Sequence, residues 1–229
     1  SQGVLGGFDP VTRQVSYTPN ADSSGADSFQ YLVEDGRGGV ATATVNIAVA
    51  AVNDAPTLAP VGTQTVDEGS PATFTVLAGD VDSPVLSYSL VGSVPAGASI
   101  DALTGAFSWT PPDGPLTQGF TLRVDDGSAA SESSFDVVVR NVAPTLALTG
   151  AGTVTVGQSY VLGFSAFDPG ADTIVEWTVN WGDGSTTSLP GTATTATRSF
   201  SVAGNLSITV TAVDEDGSHV SAPLPLQVV

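Results

Sequence analysis

The 229-residue chain contains no Cys, no Met, one His and only five Lys or Arg, against 23 Asp or Glu, which gives a formal net charge of −18. The absence of Cys excludes a disulfide framework, a thiolate nucleophile and a thiolate zinc site. A single His cannot form a multi-His metal site. Because the surface is acidic, binding to nucleic acid or to a membrane through a basic patch is excluded.

The chain is nevertheless patterned for folding. Only 12% of its residues are charged and 41% are apolar, and the apolar residues alternate with Thr, Ser or charged residues, as in half-buried strands. Asp-Gly turn signals separate these segments. The long uncharged run 142–167 is interrupted by Pro144 and four Gly, so we do not expect it to insert into a membrane. We predict an all-β fold.

One strand-plus-turn pattern occurs three times. Its glycines, Gly36, Gly127 and Gly217, are 91 and 90 residues apart, and the junction sequence at 52–57 returns at 140–145. Short strands and turns in units of this length are typical of immunoglobulin-like β-sandwiches. We therefore predict tandem sandwiches, arranged as beads on a string, with units at 1–52, 53–140 and 141–229.

The first unit is short. Residues 12–19 match residues 104–111 at an offset of 92, so the first unit corresponds to the C-terminal half of a sandwich and lacks roughly its first 40 residues. Three explanations are open: the chain is a fragment of a larger protein, another chain supplies the missing strands, or the half-unit is mobile. Half a sandwich is expected to leave its inner face uncovered.

The motifs of each unit resemble known families. The first unit has Tyr-Thr-Pro-Asn at 17–20, Asp-Gly-Arg-Gly-Gly at 35–39 and Val-Asn-Asp-Ala-Pro at 52–56, and closely resembles the C-terminal half of the bacterial cadherin-like repeats of long surface proteins and adhesins. The second, with Gly-Asp-Val-Asp at 79–82, looks like a cadherin-like or putative-Ig module. The third, with Trp-Gly-Asp-Gly at 181–184, resembles a PKD domain, a family without catalytic groups.

Acidic residues gather where the first two units join. Cadherin-like modules bind Ca²⁺ at such junctions, and Ca²⁺ takes about six to eight oxygen ligands. Carboxylates from three separated segments are expected at one pole of the second unit, where their repulsion would be costly without a cation. The candidate ligands are Asn53, Asp54, Asp80, Asp82, Asp125 and Asp126.

A thinner acidic set lies at the second junction, where Val142 replaces the linker Asp. The resemblance to PKD and cadherin-like modules implies a second Ca²⁺ site with Asn141, Asp168, Asp172, Asp214 and Asp216, and with Glu68 contributing from the second unit. A structural alternative stays open for each Asp, because Asp also caps turns before Gly. We expect His219 to be a solvated turn residue, and Trp177 and Trp181 to be core residues.

These features favour a non-catalytic, extracellular structural or adhesive stalk of a bacterial surface protein, with Ca²⁺ stiffening the junctions. Its partners would be other domains of the same protein or neighbouring copies, or a protein or glycan ligand. Two alternatives remain: a subunit of a self-assembling surface filament whose neighbour completes the half-unit, and an accessory binding module of a secreted hydrolase.

Overall fold

A computed structural model describes the whole chain, Ser1–Val229. The fold is all-β, as the alternating pattern predicts, and contains no α-helix. None of its elements is therefore a long apolar helix that could cross a membrane. The 22 strands are β1 (Gly3–Asp9), β2 (Gln14–Pro19), β3 (Gly25–Glu34), β4 (Val40–Val49), β5 (Thr57–Leu58), β6 (Gln64–Asp67), β7 (Ala72–Thr75), β8 (Ala78–Gly79), β9 (Ser87–Val91), β10 (Ser99–Ile100), β11 (Ala106–Trp109), β12 (Leu116–Asp125), β13 (Ala130–Arg140), β14 (Thr145–Thr149), β15 (Thr153–Val154), β16 (Ser159–Phe167), β17 (Glu176–Asn180), β18 (Thr186–Pro190), β19 (Thr195–Ser199), β20 (Gly204–Val213), β21 (Ser218–Val220) and β22 (Leu224–Val228).

The first unit consists of two antiparallel hairpins. β1 pairs only with β2, and β3 pairs only with β4, so each hairpin is a separate two-stranded sheet. None of residues 1–52 is buried. The four strands correspond by the repeat offset to β10–β13 of the second unit, which agrees with the prediction of a C-terminal half-sandwich.

The second unit is a sandwich with an aromatic core. One sheet has the order β10-β11-β7 and the other β6-β13-β12-β9, with β6 parallel to β13 and a short β5-β8 pair beside them. Inward residues alternate along β12, where Phe120, Leu122 and Val124 are buried. Phe107 and Phe135 meet Phe120 between the sheets with ring centroids 5.1 and 5.3 Å away. The period-2 pattern therefore becomes a face-to-face core.

The third unit is a second sandwich. Its sheets have the orders β14-β16-β19 and β15-β22-β20-β17-β18, with β21 added to β20. Trp177 and Trp181 are buried, as predicted, and their indole N–H groups donate to the Gly191 carbonyl and to the Thr187 hydroxyl at 2.9 Å each. Both rings therefore bury their area without leaving a donor unpaired.

The second and third units touch directly. β13 ends at Arg140, and only residues 141–144 separate it from β14. Gly170 of the third unit lies so close to Glu68 of the second that an added Cβ would be 2.5 Å from the Glu68 carboxyl carbon. This close approach brings the acidic loops of both units to one place.

Candidate cation sites at the two junctions

Glu68 is the buried centre of the second junction. It directly follows β6, and the residue is only 1% exposed. Its Oε2 accepts a hydrogen bond from the Gly114 N–H at 2.8 Å, and its Oε1 accepts one from the Val142 N–H at 2.7 Å. The Glu68 carboxylate therefore connects the end of β6, through two hydrogen bonds, to the loop before β12 and to the linker.

Two further carboxylates meet Glu68. One oxygen each from Glu68, Asp113 and Asp172 lies within 4.8 Å of the others, although Asp172 belongs to the loop after β16 in the third unit. Both oxygens of Asp172 and Oδ1 of Asp113 are buried and have no hydrogen-bond partner. Buried acceptors without partners are costly, and a cation between them would satisfy all three. The donor set therefore fits a hard divalent cation such as Ca²⁺.

The electrostatics of this cluster are unfavourable without a cation. Burial, the adjacent Asp113 carboxyl and the negative charges of Glu68, Asp168 and Asp113 raise the pKa of Asp172 to about 7. The pKa of Asp216 is also raised, first by burial and then by the charges of its acidic neighbours, which include Asp214 and Asp113. The folded chain thus holds several like charges together.

The remaining predicted ligands of the second junction divide into two groups. Asp168 accepts the Gly170 N–H through Oδ1, while its buried Oδ2 and the buried Oδ1 of Asn141 have no partner. Asp214 uses Oδ1 within its own loop, where it accepts the backbone N–H groups of Asp216 and Gly217. Its Oδ2 is buried, has no hydrogen-bond partner and lies 3.0 Å from His219 Nε2.

The prediction for His219 was wrong. Its side chain is only 19% exposed, because β21 adds to the edge of β20 and turns the ring toward the buried Asp214. His219 therefore lies on β21 beside the acidic loop rather than in a solvated turn. A single His among many turn residues gave no sequence signal for this pairing.

At the first junction the structure brings three acidic segments together. The Asp54 N–H of the linker donates to Asp82 Oδ2 at 2.7 Å, and Asn53 Nδ2 donates to Asp126 Oδ2 at 2.8 Å. Asp80 directly follows β8, and its Oδ1 accepts the N–H groups of Asp82 and Ser83. Its buried Oδ2 has no partner, so this junction also offers a free carboxylate oxygen.

Asp22, in the loop between β2 and β3, joins this set. Burial and then the charges of Asp22, Asp82 and Asp80 raise the pKa of Asp54. Two clefts of about 300 and 400 Å³ share Asp22 and Asp54 in their walls. The first junction is therefore acidic and more open than the second, where the carboxylates are packed around Glu68.

Asp125 points to a different partner. Its carboxylate forms an ion pair with Arg123 at 2.9 Å and accepts the Gly127 N–H, and these contacts lower its pKa. Asp126 Oδ1 accepts the N–H groups of Ser128 and Ala129. These two hydrogen bonds, together with the one from Asn53, lower the pKa of Asp126. The structure thus leaves Asp125 in an ion pair on the sheet and places Asp126 at the rim of the junction.

The sequence interpretation missed Asp113 and Asp22. Each lies in the loop that follows equivalent strands, β11 and β2, and the two are 91 residues apart, which is the repeat length. Asp113 precedes Gly114 and was therefore included only in a turn signal. Comparing the two junctions position by position would have identified both residues.

Comparisons with known proteins agree with this architecture. Residues 5–48 match the family model of a bacterial Ig domain, residues 55–140 that of a putative Ig domain and residues 141–228 that of a PKD domain. No curated protein sequence matches the chain. Bacterial Ig and PKD domains are typical of extracellular proteins and are typically non-catalytic.

Several solved structures are similar at low identity. An endo-fucoidan hydrolase of glycoside hydrolase family 107 is 16% identical, with a TM-score of 0.39; the match covers the whole chain but only 37% of that protein. The PKD1 domain of the Vibrio cholerae metalloprotease PrtV is 25% identical over 38% of this chain and 98% of its own (TM-score 0.31). Human protocadherin-24 EC1-2 is 16% identical, and the match covers 77% of this chain and 98% of that one (TM-score 0.41). The family models of a bacterial Ig domain, a putative Ig domain and a PKD domain thus match the chain in tandem.

Proposed function

We propose that this chain is a structural or adhesive segment of an extracellular protein, in which Ca²⁺ bound at the two junctions fixes the orientation of neighbouring domains. The observation that carries the proposal is the meeting of Glu68 and Asp113 from one domain with Asp172 from the next. Both Asp172 oxygens are buried without a partner, so a bound cation would connect the two domains.

The ligands are assigned from the carboxylate and amide oxygens that meet at each junction. At the second junction Glu68, Asp113 and Asp172 would hold the cation, with Asp168 and Asn141 beside them. At the first junction the ligands would come from Asp22, Asp54, Asp80 and Asp82, which surround the open clefts. Bound Ca²⁺ supplies charge neutralisation, and all these ligands are the oxygen donors that it prefers.

Support for a structural role also comes from the aromatic residues. Trp109, Trp177 and Trp181 are all buried in the two complete cores, whereas the exposed aromatic rings are those of Phe8, Tyr31 and Phe167. The indole groups therefore stabilise the sandwiches and offer no platform for a sugar. A stalk needs only stable domains and defined junctions, and both cores fit that requirement.

The proposal is tested by thermal unfolding in Ca²⁺ and in EDTA. A ligand that binds only the folded state stabilises it by RT ln(1 + [L]/Kd), which is about 2.7 kcal/mol at a free ligand concentration of 100 Kd. We expect the Tm to rise by several degrees in millimolar Ca²⁺ and to rise less in Mg²⁺, which needs a stricter octahedral geometry. Unchanged Tm values in millimolar Ca²⁺ would remove calcium from the proposal.

Stiffening is measured separately from binding. Small-angle X-ray scattering of the same protein should give a narrower distribution of interdomain distances in Ca²⁺ than in EDTA. If Ca²⁺ raises the Tm but leaves the scattering unchanged, the cation stabilises the domains without orienting them, and the stiffening function is wrong.

A further inference from the structure

Two strands near the entry and the exit of the second domain lie side by side and run in the same direction. β6 pairs parallel with the last residues of β13, with Gln64 opposite Val137 and Asp67 opposite Arg140. β6 is the edge of its sheet, so β13 is its only partner there. Because β13 begins just after Asp126, at the rim of the first junction, both strands run from the first junction toward the second.

Stretching the chain loads this pair of strands in shear. Tension from the first domain pulls β6 backward by its N-terminal end, and tension from the third domain pulls β13 forward by its C-terminal end. The short β5, which precedes β6, pairs with β8 over only two residues. Because the hydrogen bonds connect β6 and β13 sideways, this pull loads all of them together. A pull that separated the same strands from one end would load the bonds one after another.

The end of the pair at the second junction is held by further contacts. Arg140 Nε donates to Asp67 Oδ1 at 2.8 Å, and the Glu68 N–H donates to the Arg140 carbonyl at 3.0 Å. The Glu68 carboxylate also accepts the N–H of Val142, a linker residue, at 2.7 Å. Glu68 is buried, so this charge-assisted hydrogen bond is strong and is shielded from water.

The hydrogen bond between Glu68 and Val142 gives tension a shorter path than the covalent chain does. The two residues are 74 positions apart in the sequence, and the covalent chain between them passes through the rest of the domain. Tension in the linker is therefore transferred directly to the end of β6. Core residues such as Leu122 and Phe135 lie outside this short path.

We propose that the second domain bears stretching force through the β6–β13 pair, and that Glu68 transfers this force from the linker to β6. The function is mechanical: the domain would stay folded while the chain is pulled along its length. This inference goes beyond the proposed calcium sites, because every contact that it uses is present without a cation.

The test is constant-force single-molecule spectroscopy of the full chain in EDTA. Because the chain has no Cys, two introduced Cys residues define where the force is applied. Ala55→Cys with Ala143→Cys pulls β6 and β13 from opposite ends, whereas Ala55→Cys with Ser128→Cys pulls them from the same end; all three positions are exposed. At equal force we expect the second domain to stay folded at least about tenfold longer in the opposite-end direction, because several hydrogen bonds must break together.

Glu68→Gln tests the transfer of force itself. The amide NH₂ of glutamine cannot accept a hydrogen bond, so it would leave either the Gly114 or the Val142 N–H without its present acceptor. We expect the folded lifetime to fall at least about fivefold in the opposite-end direction and less than about twofold in the same-end direction. The difference arises because Val142 lies outside the segment 55–128 and carries no force there.

Two Arg substitutions form a matched pair that keeps the test valid if Glu68→Gln does not fold. Arg140→Gln removes an ion pair that joins β13 to β6, whereas Arg123→Gln removes an exposed Arg of the same sheet that pairs with Asp125 and Glu132. In the opposite-end direction Arg140→Gln should shorten the folded lifetime at least about twofold. Arg123→Gln should leave it unchanged, because its ion pairs do not involve β6.

Three results would overturn the inference. Equal lifetimes in the two pulling directions would mean that the β6–β13 pair does not bear the force. A Glu68→Gln effect of the same factor in both directions would mean that Glu68 stabilises the domain without transferring force. Equal effects of the two Arg substitutions would mean that the contacts at the end of the pair have no mechanical role. All three are measured in EDTA, so none depends on calcium binding.

Discussion

Replacing Asp172 by Asn distinguishes a cation ligand from a residue with only a structural role. In the metal-free chain, burial, the Asp113 carboxyl and the charges of Glu68 and Asp168 raise the pKa of Asp172 from 3.8 to about 7. A carboxyl with a higher pKa in the folded state binds more protons when folded. Its ionisation therefore destabilises the fold progressively as the pH rises from about 4 to about 7.

The magnitude follows from linkage. A rise of the pKa from 3.8 to about 7 corresponds to a loss of up to about 4 kcal/mol at high pH, and solvent screening at this partly exposed loop reduces the loss to the order of 1–2 kcal/mol. In EDTA at pH 8, Asp172→Asn should therefore raise the free energy of unfolding by about that amount. In EDTA the free energy of unfolding of the wild type should fall as the pH rises from 4 to 7, and that of the variant should fall less.

In saturating Ca²⁺ the effect should reverse its sign. The variant lacks a charged ligand, so it binds the cation more weakly and should be less stable than the wild type. Two of the three Trp residues, Trp177 and Trp181, lie in the core of the domain that contains Asp172, so unfolding of that domain changes the intrinsic fluorescence. The control Glu176→Gln removes an exposed charge from the same domain. It should change the free energy of unfolding only slightly and with the same sign in EDTA and in Ca²⁺. If Asp172→Asn also has the same sign in both, the cation assignment is refuted.

Two further predictions concern the junction and the cores. Gly170→Ala should loosen the second junction, because its Cβ would lie 2.5 Å from the Glu68 carboxyl carbon. Small-angle scattering in Ca²⁺ should then show a wider distribution of interdomain distances. The control Gly152→Ala adds its Cβ in open space and should leave that distribution unchanged. Leu122→Ala should cost about 2–5 kcal/mol in urea unfolding of the second domain. Its counterpart Tyr31→Ala, at a half-exposed position, should cost less than about 1 kcal/mol, and equal costs would contradict the difference in burial.

The architecture was largely predictable from the sequence. Period-2 alternation sets which face of a strand is apolar, and the repeat length of about 90 residues identifies immunoglobulin-like units. Trp177 and Trp181, four residues apart, lie on one face of β17 and its continuation and are both core residues. These are local regularities of the chain, and they determine the fold class without knowledge of the loops.

The candidate sites were less predictable, because loop side chains are not constrained by a period. Asp214 and Asp125 lie in acidic segments as expected, but Arg123 pairs with Asp125, and His219 lies beside Asp214. Asp113 and Asp22 enter the sites from turns that the sequence interpretation did not connect with the junctions. Which carboxylate stays free depends on the partners that the tertiary fold places beside it.

The turn role and the ligand role of an Asp are not alternatives. Asp80 uses Oδ1 to accept the backbone N–H groups of its own loop, and its buried Oδ2 has no partner. Asp168 divides its two oxygens in the same way. One carboxylate oxygen holds the loop by accepting its backbone N–H groups, and this fixes the direction of the other oxygen without a cation. Asp214 shows the same division, because Oδ1 accepts backbone N–H groups and the buried Oδ2 has no hydrogen-bond partner. Asp126, by contrast, engages both oxygens. A buried oxygen without a partner therefore marks a candidate ligand more directly than the acidic residue type alone.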